Sequence, residues 1–152
     1  MKGMQALLDI NEYFVRELII KENPAYKPAE FHEGKVNISY TVQRKNSGLD
    51  FMINMDVQVG GARKLSENIP YYIAIKITGL FRFIKKTDEN IIARMIQCNG
   101  LSILYGIARG VAAQATANCI HGKYVLPTVN FIELIKRQST RKSLKMKSKK
   151  KS

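Results

Sequence analysis

Cysteine is scarce in this chain: there are two, Cys98 and Cys119, and no Cys-x-x-Cys pair. They read as buried or half-buried thiols on or just after a helix. Histidine is equally scarce. His121 stands two residues from Cys119, and His32 is far away in sequence. Zinc needs more ligands than this pattern offers, so no metal is expected. No uninterrupted apolar run reaches the ~18–20 residues of a bilayer span. The opening MKGMQALLDINEYF has one early lysine, and its apolar run is broken by Asp9, Asn11 and Glu12. No small-residue cleavage site follows, so no signal peptide is read, and a soluble cytoplasmic protein is expected. Catalytic motifs are missing too. There is no Gly-x-Ser-x-Gly, no His-Glu-x-x-His and no phosphate loop. Gly60-Gly61 reads as a turn, and a helix start explains Asp88-Glu89. Neither an enzyme nor a cofactor is expected.

Acids are absent from residues 136–152, which hold nine lysines and arginines. The net charge of +13 is therefore concentrated in that tail, because residues 1–135 keep 16 cations against all 12 acids, a net +4. Leu144 and Met146 are the tail's only apolar residues after the second helix, too few to order it, so a mobile basic tail is expected over 138–152. It reads as a solubility tail, as a phosphate-attracting segment for nucleic acid, or as one drawn to an anionic membrane or acidic client. No aromatic residue interleaves with the cations, so base stacking is not indicated.

What is present is enough for one domain. The chain has 152 residues, of which 45% are hydrophobic, which supports a core. Residues 2–11 suit a short helix, and residues 12–21 fit a helix or a strand equally well. ENPAYKPAEFHEGK follows, broken by Pro24, Pro28 and Gly34, a long surface connection carrying Tyr26 and Phe31. Period-2 alternation then predicts strands over Val36–Arg44, Leu49–Val59 and Tyr71–Phe83. Such alternation implies an antiparallel sheet with one buried and one wet face. Thr87-Asp88-Glu89 starts a helix. It runs from Ile91 with apolar Leu101, Leu104, Ala108, Val111, Ala112 and Ala115 on one face. Gly106 and Gly110 cost that helix roughly 1 kcal/mol each against alanine, which points to something packing closely there. A break at His121-Gly122-Lys123, the segment VLPTVNF and a second helix FIELIKRQ complete the order. Strands followed by helices give an α+β layer fold.

The ordered segments KENP, Gly79-Leu80-Phe81, Ile103-Leu104-Tyr105-Gly106-Ile107-Ala108-Arg109 and Leu126-Pro127-Thr128-Val129-Asn130-Phe131 resemble those of the SecB family of protein-export chaperones. The resemblance covers roughly residues 10–137. It implies a domain over 1–137 with a four-stranded antiparallel sheet followed by two helices, assembled as a tetramer, a dimer of dimers. It also implies a strand over Glu12–Lys21, and a holdase that grips unfolded polypeptides in apolar grooves without ATP or metal. Candidate client-binding residues are Tyr26, Phe31, Tyr40, Leu126, Val129, Phe131, Ile132 and Ile135. Candidate subunit contacts are Leu101, Tyr105, Gly106, Arg109, Gly110 and Ala113. Two departures stand out: Gly106-Ile107 replaces the family's frequent Pro-Tyr, and the later proline is shifted by one. Family members that hand clients to the SecA motor are acidic, whereas this chain is basic and its outward sheet residues include Lys76 and Arg82, so repulsion from the basic tail of SecA is expected. That leaves export clients or one dedicated client, such as the antitoxin guarded by family members in toxin–antitoxin systems.

Overall fold

The computed structural model describes residues 6–30, 34–46, 48–60 and 68–138. Four antiparallel strands form one sheet: β1 (Leu8–Glu22), β2 (Val36–Arg44), β3 (Asp50–Val59) and β4 (Tyr71–Phe83). Their order is β1-β4-β3-β2, so three consecutive strands form a meander and β1 joins its far side. One expectation needs correction, and one open alternative is settled as the family resemblance implies. The chain from Leu8 to Asn11 is strand rather than helix, and the ambiguous run after it is strand throughout. The reason is tertiary: β1 takes its backbone partners from β4, with Leu8 opposite Phe83 and Glu22 opposite Tyr71. No local pattern records a partner that distant.

The alternation of β3 and β4 places Phe51, Ile53, Met55, Val57 and Val59 beside Ile73, Ile75, Ile77 and Phe81 on one face, all of them buried. The long helix (Glu89–Thr116) covers that face. Asp88 caps it, its carboxylate accepting the Asn90 N–H at 2.9 Å, as an acid at a helix N-terminus should. By length and composition this helix is apolar enough to cross a membrane. Here its apolar side packs on the sheet through Ile92, Ile96, Leu101, Leu104, Ala108 and Ala112.

The step of five from Ile96 to Leu101 breaks the helical period. A π-helical turn, Ile96–Gly100, absorbs the additional residue. Both halves of the helix thereby keep their apolar sides on the sheet. Close approach is made by glycines other than the expected pair. A Cβ on Gly79 would lie 2.6 Å from the Phe81 ring and 3.0 Å from Leu104, and one on Gly100 would lie 2.9 Å from Ile53. Gly106 and Gly110 face open space within the chain.

After the helix, residues 123–130 run back along it without regular structure. Helix side chains satisfy the backbone of this segment. Thr116 Oγ1 accepts the Tyr124 N–H at 2.8 Å, Arg109 Nε donates to the Leu126 carbonyl at 2.9 Å, and the Tyr105 hydroxyl donates to the Pro127 carbonyl. A short helix over residues 131–138 closes the described chain.

Candidate functional site

The returning segment and the short helix form a ridge with a cleft on each side. The first cleft, 420 Å³, lies between the open edge of β2 and the short helix. It is lined by Val36, Ile38, Leu134 and Arg137, among others. Among the described residues β2 has a neighbouring strand on one side only, so its other edge is an open sheet edge. The second cleft, 530 Å³, lies between the π-turn and the start of the short helix. Cys98, Ser102, Ile103, Val129 and Ile132 line it.

The candidate client residues divide between these places. Tyr40 is half-buried on β2, and its hydroxyl donates to Gln138 Oε1 at 3.2 Å. Burial first, and the neighbouring Cys98 thiol second, push the Tyr40 phenol above its ordinary range. Val129 and Ile135 are half-buried, and Ile132 is 55% exposed. Phe131 is buried, its ring edge-on to Tyr105 at 5.6 Å. Leu126 is fully buried and belongs to the core. Tyr26 sits at the far end of the sheet, against His121. The end residue Tyr71 is six positions along β4 from Ile77, which lies in the same cross-strand row as Tyr40, a distance of about 20 Å. Phe31 lies outside the described residues, as does the expected tail beyond Gln138. Sequence reasoning missed Val36 and Ile38 as cleft walls, because alternation marks them as core without telling an edge strand from a central one.

The candidate subunit contacts divide similarly. Leu101 and Tyr105 are buried inside the chain, and Arg109 is bonded to the returning segment. Gly106 and Gly110 are exposed and Ala113 is half-buried. With Ile103 and Ala117 these three make a stripe at alternating spacings of three and four, one uncharged helix face. Beside it β1 leaves Tyr13 (49% exposed), Val15 and Leu18 on the helix side of the sheet without cover.

The outer sheet face differs from expectation. Arg82 is registered between Asp9 and Asp50, with an ion pair to Asp50 at 2.7 Å. Lys76 is registered between Glu17 and Asp56. Opposite charges on adjacent strands offset each other. Among the described residues that face carries Asp9, Glu12, Glu17, Asp50 and Asp56 against Lys21, Lys76 and Arg82. Among these registered residues acids outnumber bases, so the charge that argues against SecA lies in the chain's overall excess of cations rather than on this face.

Residues 2–142 match the family model described as preprotein translocase subunit SecB. The chain belongs to the SecB family. Among solved structures it is similar to a Mycobacterium tuberculosis SecB-like chaperone, Rv1957, in complex with a ChAD peptide from the HigA1 antitoxin. The TM-score is 0.57 at 12% identity, covering 80% of this chain and 90% of that one. A Streptococcus agalactiae protein of unknown function aligns with a TM-score of 0.43 at 11% identity, over 80% of this chain and 97% of that one. Comparison with curated proteins gives no match. The first likeness shows that the SecB α+β fold is kept at low sequence identity.

Proposed function

We propose that this SecB-family protein is an ATP-independent holdase for unfolded or non-native polypeptides. The match across residues 2–142 carries the reading. The two clefts support it physically. Unfolded chains share little beyond backbone and apolar side chains, so their binder needs broad apolar surface and backbone partners. In the proposed mode an extended client adds along the open edge of β2. Its side chains meet Tyr40, Ile135 and Leu134 on one side of the ridge, and Val129 and Ile132 on the other. Tyr26, at the far end of the sheet against His121, is a further proposed client contact.

The proposal includes assembly into a tetramer, a dimer of dimers. The uncovered row Tyr13, Val15 and Leu18 on β1, together with the stripe Ile103, Gly106, Gly110, Ala113 and Ala117, is where a second copy would pack. The peptide-bound structure is of the mycobacterial protein. For the present chain the corresponding client is any extended apolar segment, whether from an export substrate or from one dedicated partner. The test is suppression of aggregation of a chemically unfolded client, without nucleotide, at near-equal concentrations of client and protein. We expect suppression by the intact assembly. Undiminished aggregation, with the protein folded and at tetramer mass, would reject the reading. Isolation and identification of co-purifying polypeptides then separates a broad client set from a single partner.

A further inference from the structure

His121 lies where three connections meet, and the chemistry proposed above does not use it. Its Nε2 is 3.0 Å from the carbonyl oxygen of Asn23. A carbonyl only accepts, so His121 carries a proton on Nε2. The same carbonyl accepts the Tyr26 N–H at 3.2 Å. The Tyr26 ring meets the imidazole edge-on at 5.0 Å, and the Tyr71 ring stands 5.7 Å from it. The backbone of His121 is tied to the sheet. Its N–H donates to the Tyr71 hydroxyl at 2.8 Å, and that hydroxyl donates to the Gly122 carbonyl at 2.9 Å. Tyr71 is 1% exposed at the start of β4. The imidazole is therefore fixed from the core side, and its other contacts all go to Asn23 and Tyr26.

The bonds of Asn23 explain the division of labour. It is buried, its N–H donates to the Pro70 carbonyl at 2.8 Å, and its side-chain amide donates to the Ile69 carbonyl at 2.9 Å. The start of the connection is thus held without His121. For the Tyr26 ring, His121 is the one aromatic ring partner among the described residues. A half-buried aromatic on a proline-flanked connection loses rotamer freedom when a client orders it, and that loss weakens binding. A ring already held in place avoids the loss.

We propose that His121 is a positioning residue for client binding: it presets the Tyr26 ring at the far end of the sheet and so tightens the grip on extended apolar segments that reach it. The proposal rests on the holdase reading. It is distinct from the cleft residues, because His121 acts through Tyr26 rather than by touching the client.

The chain has no tryptophan, so Tyr26→Trp places a sole tryptophan, excited apart from the tyrosines, at the position in question. With His121 in place its emission should be blue-shifted and poorly quenched by acrylamide. Adding His121→Ala should red-shift it and raise quenching. Identical emission with and without His121 would overturn the proposal, whatever the client assay shows. Affinity is measured with reduced, carboxymethylated lactalbumin as the unfolded probe. Tyr26→Ala and His121→Ala should each weaken binding about fivefold, equivalent to about 1 kcal/mol. The double variant should be no weaker than Tyr26→Ala alone, because one residue acts through the other. Additive losses, or none from His121→Ala, would overturn it. His121→Gln keeps an amide donor for Asn23 but lacks the ring. It should fold like the parent and still lose affinity, and parental affinity in that folded variant would also count against us. If the unmodified protein fails to bind the probe, the holdase reading falls, and the emission experiment still decides whether His121 holds the ring.

Discussion

Gly79 and Gly106 are the same residue type in opposite surroundings, and their substitution should move stability in opposite directions. A methyl on Gly79 would press into the Phe81 ring at 2.6 Å, and that ring is 1% exposed with nowhere to go. Overpacking of this kind costs roughly 1–3 kcal/mol. Gly106→Ala meets nothing within 4 Å in its own chain and, in the unassembled chain, gains about 1 kcal/mol of helix propensity. Gly100→Ala should be close to neutral, since the same gain offsets a contact with the movable end of Ile53. Thermal denaturation of the three variants checks this ranking. Gly106→Leu and Gly110→Leu ask a separate question: if a second copy packs on the stripe, each should lower the assembly mass by light scattering, and unchanged mass in both would argue against that face. Two exposed pairs carry a pH signature. Hydrogen bonds from Arg44 hold the Glu89 carboxyl below its ordinary range, and those from Arg82 do the same for Asp50. A carboxyl depressed in the folded state contributes stability above its unfolded value and loses it as pH falls through the folded one. Glu89→Gln and Asp50→Asn should therefore shrink the drop in urea midpoint between about pH 7 and about pH 3. An undiminished drop in both variants would show that neither pair contributes. At this scale the sequence was only partly legible. It marked Gly106 and Gly110 as points of close approach but not Gly79, quoted only within a family segment, or Gly100, because local pattern does not record that Leu104 and Ile53 lie against them.

The long helix is interrupted by a residue it can lose. The π-turn at Ile96–Gly100 lengthens the step from Ile96 to Leu101 to five. Deleting the exposed Asn99 would return that step to four, the ordinary helical interval, and keep Ile92, Ile96, Leu101 and Leu104 on one side. We expect the deletion to leave the melting temperature within about 4 °C, a change of about 1 kcal/mol for a domain of this size. It should nevertheless weaken client binding, because Asn99 and Cys98 line the second cleft. Loss of folding on this deletion would mean that the turn holds the sheet contact rather than relieving a misfit. Elements with strong internal period were fully legible: β2 and β4 run over the residues that alternation assigned. β1 was not legible from its own pattern, since its faces are set by irregularities in register between Ile10 and Glu12 and between Val15 and Glu17. Such bulges flip the side of every residue beyond them, and the family resemblance supplied what periodicity lacked.

For the whole molecule, charge and chaperone surface are separable by position. Residues 139–152 hold seven of the nine C-terminal cations, and the clefts lie among residues 36–138. Removing residues 139–152 should leave aggregation suppression largely intact. Any affinity for nucleic acid should fall, and with it the steepness of its salt dependence. Retention of a salt-dependent complex by the truncated chain would place the phosphate contacts on the sheet–helix body. The candidate surface was legible where it follows one element, as in the Phe131–Ile135 run. It was illegible where it depends on strand order, because only the order β1-β4-β3-β2 reveals that β2 is an edge. That order also sets a clock. Leu8 pairs with Phe83, so the last ladder position of β1 waits for 75 further residues to be made, about 4–15 s at ~5–20 residues per second of synthesis. Tyr13, Phe14, Val15 and Leu18 likewise lack their β4 partners, Gly79, Thr78, Ile77 and Ile75, until those are made. A protein proposed to shelter the unpaired strands of others thus begins its own life as one of them, and ribosome-bound chains stalled before Tyr71 should be captured by the finished protein.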